Sequence, residues 1–71
     1  MNLDREEFRQ ALKAEFLART PLAPSEADMY ATATLEALEA FAGGFGADGY
    51  DWDVMAAREA VDAELLEWAE N

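Results

Sequence analysis

The chain has 71 residues, a net charge of −11, and neither cysteine nor histidine, so disulfides and thiolate or imidazole metal ligands are excluded. Residues 1–19 carry as many bases as acids, whereas residues 20–71 carry twelve acids and a single base, Arg58. This length predicts one domain over residues 1–71, near the lower size limit for folding without disulfides or metals.

The first predicted helix covers residues 5–19. Asp4 is placed to cap its N-terminus, and Glu7 three residues later completes a capping box. Large apolar residues recur at every fourth position and form one stripe: Phe8, Leu12 and Phe16. Pro21 ends the helix, because the residue before a proline avoids the α region.

The second predicted helix covers residues 26–42, with Ser25 as its N-cap. Its apolar face comprises Ala27, Tyr30, Ala31, Thr34, Leu35, Leu38 and Phe41. Gly43 and Gly44 predict its end, because glycine readily adopts the left-handed conformation that closes helices.

A glycine-rich loop over residues 43–50 leads to the third predicted helix, residues 52–69. Asp51 is the expected N-cap, and Tyr50 and Met55 stand at the positions of a hydrophobic staple. The apolar stripe comprises Val54, Ala57, Val61, Leu65 and Trp68. No alternating pattern indicates a strand, so the sequence predicts an all-α, compact three-helix domain.

The acids of the second and third helices are the candidate partner-binding residues. Those that lie away from the apolar stripes are Glu36, Glu39, Glu59, Asp62, Glu67 and Glu70. Carboxylates three and four residues apart on a helix are about 5–6 Å from each other, close to the phosphate spacing of a nucleic-acid strand. Such a surface would attract a basic protein and compete with nucleic acid for it. Two alternatives remain open: the charge serves solubility, or it reflects adaptation to high salt.

The acids from Glu26 to Glu70, set on predicted helices in a short chain, resemble in type the small acidic inhibitors that phages use against bacterial defences. These include anti-CRISPR proteins and DNA-mimic restriction inhibitors. The resemblance covers residues 20–71 and consists of size, charge and helicity. It implies inhibition by occlusion of a nucleic-acid site on the target. The neutral first helix departs from a uniformly acidic mimic, which suggests that it is scaffold or contacts another part of the target.

Four large apolar residues lie outside the predicted stripes: Leu17, Trp52, Met55 and Leu66. Aromatic residues ringed by charge are typical of interface hot spots, so Trp52 is a candidate anchor for a partner. Alternatively, the bundle buries these side chains on a second helix face. Homodimerisation through such a patch is a further alternative, which the like charges of two copies oppose.

Catalysis is not expected from a chain with no histidine, no cysteine and one serine, and no cofactor or metal is expected. Direct nucleic-acid binding is excluded by the negative charge. Apolar runs are too short to span a membrane, and anionic lipid would repel residues 20–71. We therefore expect a cytoplasmic protein, located in the host cytoplasm if a phage encodes it.

The leading hypothesis is an inhibitor that binds a basic, nucleic-acid-handling partner, such as a CRISPR effector or a nuclease, by phosphate mimicry. The alternative is a non-catalytic adaptor or subunit that places a helix face on a partner protein, with its acidity serving solubility or salt adaptation.

Overall fold

The computed structural model describes residues 2–70; Met1 and Asn71 lie outside them. It contains three helices: α1 (Arg5–Arg19), α2 (Pro24–Ala42) and α3 (Val54–Glu70). No strand occurs among the described residues. The predicted all-α, three-helix fold is confirmed.

The start of α1 has the predicted capping box. The Asp4 carboxylate accepts from the Glu7 backbone N–H at 2.8 Å, and the Glu7 carboxylate accepts from the Asp4 N–H at 3.0 Å. At the other end, the Thr20 hydroxyl and backbone N–H both donate to the Phe16 carbonyl. Both ends of α1 are therefore fixed by local hydrogen bonds.

The start of α2 differs from the prediction. Ser25 is not the N-cap: the helix begins at Pro24, and Ala23 occupies the cap position. Proline at the first helical position has its φ preset and lacks only an N–H that would have no helical partner. Glu26 then accepts from the Ala23 N–H at 3.0 Å, so half of a capping box forms without a capping side chain.

The end of α2 is the predicted glycine stop. Gly43 adopts φ +89°, and its N–H donates to the Glu39 carbonyl at 2.9 Å. The Gly44 N–H donates to the same carbonyl at 2.7 Å. A residue with a Cβ would be strained in this left-handed conformation.

The start of α3 lies two residues later than predicted, and Asp51 is not its cap. The Asp53 carboxylate accepts from the Ala56 N–H at 2.8 Å, which is the N-cap hydrogen bond. Trp52 therefore precedes the helix instead of beginning it. Its backbone N–H donates to the Asn2 side chain at 3.1 Å, and its carbonyl accepts from the Leu3 N–H at 2.7 Å. These bonds hold the start of α3 beside the start of α1.

α1 is the central helix of the fold. Both α2 and α3 pack along it, whereas α2 and α3 hardly approach each other. The four-residue connection 20–23 makes α2 antiparallel to α1, while the bonds between residues 2–3 and Trp52 make α3 run parallel to it.

The core forms around the predicted stripe of α1, which is fully buried as expected. The buried residues of the core are Phe8, Leu12, Phe16, Ala27, Ala31, Leu35, Trp52, Ala57 and Val61. Aromatic rings cluster at both ends of α1. One cluster contains Phe8, Phe45, Tyr50 and Trp52, and the other contains Phe16, Tyr30 and Trp68.

Two residues of the predicted apolar faces are exposed instead. Phe41 lies on the same side of α2 as Tyr30, but its side chain is 84% exposed. α2 and α3 meet at Tyr30 and Trp68, with ring centroids 5.0 Å apart, and hardly approach each other elsewhere. Neither of the other two described helices therefore covers Phe41. Val54 is also exposed, because Trp52 fills the core at that end.

Candidate interaction surface

Basic side chains of α1 pair with acids of α2. The Arg5 guanidinium donates two hydrogen bonds to the Glu39 carboxylate, at 2.8 and 2.9 Å. Arg9 binds the Asp28 carboxylate, and the Lys13 ammonium lies 3.8 Å from the same group. These contacts lower the carboxyl pKa of both acids, chiefly through the hydrogen bonds from Arg5 to Glu39 and from Arg9 to Asp28.

A second set of ion pairs joins α1 to α3. Arg19 of α1 binds the Asp62 carboxylate. Arg58 of α3 lies 3.9 Å from the Glu15 carboxylate, which is also 3.6 Å from Arg19. Ion pairs therefore connect α1 to α2 on one flank and to α3 on the other.

This arrangement engages every lysine and arginine of the chain. All five have a carboxylate oxygen within 4.0 Å. Arg9 also pairs with Glu6, where hydrogen bonds from Arg9 and Gln10 lower the carboxyl pKa to about 2. Among residues 2–70, no unpaired lysine or arginine remains to neutralise the other acids of α2 and α3.

The predicted acidic residues divide into two groups. Glu39 and Asp62 are ion-paired within the fold, whereas four others are exposed and form no ion pair among residues 2–70: Glu36, Glu59, Glu67 and Glu70. Glu39 pairs with Arg5 and Asp62 pairs with Arg19, which are about 21 Å apart along α1. The predicted set therefore does not form one continuous surface.

The side of α3 opposite its buried residues brings unpaired acids and apolar side chains together. Met55, Glu59, Leu66 and Glu70 lie within about 60° of one another on this side, and we call these four residues the outer face of α3. Asp62 and Glu67 flank it. Met55 is 57% exposed and Leu66 is 63% exposed. The acids of this face were predicted from their distance to the apolar stripe, and the same criterion singled out Met55 and Leu66.

Trp52 was predicted to anchor a partner, but the structure buries it instead. Its side chain is 1% exposed and lies between Phe45 and Tyr50, each with its ring centroid 4.5 Å away. It is part of the core and is not available to a partner. Tyr50 is only partly buried; burial raises its pKa, and the nearby Glu59 and Asp53 carboxylates add to the effect.

Sequence reasoning missed the ion pairs that join the helices, because they connect residues from 15 to 43 positions apart along the chain, such as Arg5 with Glu39 and Arg19 with Asp62. The only sequence signal for them is the concentration of bases in residues 1–19. Such a concentration is what a central helix between two acidic neighbours requires, but it does not specify the partner of any one base.

The described residues enclose no pocket, and they contain no group of three or more acidic side chains arranged to hold a metal ion. None of the three helices combines the length and the apolar character needed to cross a membrane. What these residues offer is therefore a surface and not a cleft.

Comparisons of the chain with protein-family models, with curated proteins and with solved structures found no match.

Proposed function

We propose that this protein is a small acidic inhibitor that binds a basic, nucleic-acid-handling partner protein and blocks its nucleic-acid site. The observation that carries the proposal is the segregation of charge. All five bases are engaged in internal ion pairs, while Glu59, Glu67 and Glu70 project from α3 without such a pair among residues 2–70. The excess negative charge is thus presented outward.

The mechanism is competition with nucleic acid. Glu59, Glu67 and Glu70 span about 16 Å of helix, which corresponds to two or three phosphate spacings of a strand. A net charge of −11 also steers the protein towards positive surfaces, with an effect that salt reduces. The mechanism requires neither a cofactor nor covalent chemistry. We place the interaction in the cytoplasm, in that of the host if a phage encodes the protein.

The proposal is tested on a panel of guide-loaded CRISPR effectors and restriction endonucleases. Each is incubated with the purified protein, and the binding of labelled target DNA is then measured over a range of salt concentrations. We expect lower DNA binding by at least one member, with an inhibitory effect that falls steeply as salt screens the exposed charges. No inhibition of any member at low salt would overturn the proposal.

Matched variants separate the α3 surface from net charge. Glu67→Lys with Glu70→Lys should abolish inhibition, because it reverses two unpaired acids near the end of α3. Asp48→Lys with Asp51→Lys makes the same change in net charge at exposed positions before α3, and it should leave most of the inhibition. Equal loss in both double variants would contradict a specific role for α3.

A second candidate function is a non-catalytic adaptor that binds a partner through apolar contacts, with its charge serving solubility. The observation that favours it is the exposure of Phe41, a large aromatic side chain that residues 2–70 leave uncovered. An adaptor of this kind should keep its partner in moderate salt and lose it on Phe41→Ser. Inhibition that disappears with salt and survives Phe41→Ser supports the inhibitor instead.

A further inference from the structure

The outer face of α3 is a helix surface that neither α1 nor α2 covers. α3 contacts α1 through the opposite side, where Ala57 and Val61 are buried. Met55 and Leu66 protrude from the outer face three turns apart, about 16 Å along the axis. Exposed large apolar residues in a charged surround are typical of binding surfaces. The face therefore offers two apolar contact points in a line.

Charge defines what can cover this face. Glu59 and Glu70 lie among the apolar contacts and have no basic partner among residues 2–70. A second copy of the chain would bring the same acids into apposition, which is unfavourable because like charges repel. A complementary occupant carries apolar groups for Met55 and Leu66 and cations for the two glutamates.

The backbone of α3 favours a helical occupant over an extended one. An added β-strand gains its affinity from hydrogen bonds to free backbone groups at a sheet edge. The middle of an α-helix has no such free groups, because its N–H and C=O groups are already bonded to each other. A helix satisfies its own backbone and presents side chains at matching intervals of three and four residues.

We propose that the outer face of α3 binds a cationic amphipathic helix of the partner protein, with its apolar residues against Met55 and Leu66 and its Lys or Arg residues against Glu59 and Glu70. This inference rests on the proposed function and specifies the partner's contact element. Basic helices are elements that many nucleic-acid-binding proteins place against DNA. Covering such a helix would block the access of nucleic acid.

The test uses the full chain and two labelled synthetic peptides, measured by fluorescence anisotropy. Both are alanine-based helices with the same composition. In the first, two leucines are eleven residues apart with arginines between them on the same face; in the second, the leucines are moved to the opposite face. At about 0.1 M salt, where exposed charges attract only over about 10 Å, we expect the first peptide to bind about tenfold more tightly.

Two similarly exposed methionines, Met55 on the outer face of α3 and Met29 on α2, provide a test variant and its matched control. Met55→Ser should weaken binding of the first peptide about fivefold to tenfold, and Leu66→Ser should do the same. Met29→Ser is the control, because Met29 is 61% exposed but lies on α2. It should leave the affinity unchanged, and circular dichroism should show that all three variants keep the wild-type helix content.

Equal affinity for the two peptides, or equal effects of Met29→Ser and Met55→Ser, would overturn the inference. Sedimentation of the peptide-free protein as a dimer that Met55→Ser and Leu66→Ser dissociate would also overturn it, because a second copy would then cover the face. If salt-sensitive inhibition of a DNA-binding partner persists while peptide discrimination fails, only this inference is lost. If no panel member is inhibited although the first peptide binds selectively, the proposed function is lost and the helix-binding face remains.

Discussion

Arg5, in the first turn of α1, makes two parallel hydrogen bonds of 2.8 and 2.9 Å to the carboxylate of Glu39, in the last turns of α2. A forked contact of this kind fixes the orientation of both side chains as well as bringing their charges together. The contact joins the N-terminal end of α1 to the C-terminal end of α2, through two residues that are 34 positions apart in the sequence. Glu39 thereby stabilises the fold, although its predicted role was the same as that of Glu67, which forms no ion pair among residues 2–70.

Charge reversal at these two glutamates should therefore have different effects on stability. Glu39→Arg places a second guanidinium beside Arg5 and should lower the Tm. Glu67→Arg makes the same change in net charge at a position with no ion pair among residues 2–70, and it should leave the Tm unchanged or raise it by reducing self-repulsion. Thermal unfolding followed by circular dichroism measures both. The swap of Arg5→Glu with Glu39→Arg should recover most of the loss, and a swap no more stable than Glu39→Arg alone would refute this role of the pair.

Acid should weaken the contacts between α1 and α2. The pKa values of Glu39 and Asp28 are lowered in the folded protein, mainly by the hydrogen bonds from Arg5 and Arg9. Their stabilising contribution is fully present above the unfolded carboxyl pKa of about 4 and is lost as the pH falls through the lowered folded value. Urea unfolding at a series of pH values below about 4 should show a decreasing free energy of unfolding.

The control for this pH dependence is the double variant Asp28→Asn with Glu39→Gln. Acid also lowers the net negative charge of the whole chain, so the difference between the two proteins isolates the ion pairs. The variant should be less stable than the wild type at neutral pH and should lose less stability between neutral and acidic pH. Parallel pH profiles of the two proteins would show that these pairs do not contribute.

Loss of the Trp52 side chain should strongly destabilise the fold, whereas replacement by phenylalanine should be tolerated. Trp52→Ala removes the largest buried side chain and should cost about 3–5 kcal/mol, a large share of the stability of a domain of this size. The indole Nε1 forms no hydrogen bond to any residue from 2 to 70. Trp52→Phe keeps an aromatic ring and removes this buried donor, whose missing bond costs about 1–3 kcal/mol. Urea unfolding should show a much smaller loss for Trp52→Phe, and equal losses would contradict this account.

The position of the α3 cap can be tested with two aspartates. Asp53→Ala removes the carboxylate that accepts from the Ala56 N–H and should lower the free energy of unfolding by about 1 kcal/mol. Asp51→Ala, at the position that the sequence favours, should change it by less than about 0.5 kcal/mol. Asp53→Asn should retain most of the stability, because asparagine also caps helices. A larger effect at Asp51 than at Asp53 would place the cap where the sequence predicts it.

The local features of the fold could be read from the sequence. The capping box of Asp4 and Glu7, the stripe from Phe8 to Phe16 and the stop at Gly43 all depend on residues within a few positions of one another. The caps of α2 and α3 were each misplaced by two residues. Neighbouring candidates such as Asp51 and Asp53 carry the same side chain, and only the backbone path through Trp52 distinguishes them.

The sequence by itself determined that this protein is helical, that its excess negative charge follows residue 19 and that the acids there lie mostly outside the apolar stripes. Only the tertiary structure decided which acids are neutralised, because that depends on α1 lying between α2 and α3 and reaching both with its bases. The same arrangement buried Trp52 and left Phe41 exposed. Helix periodicity specifies the direction of a side chain relative to its own axis, but whether a second helix meets it there is settled by packing.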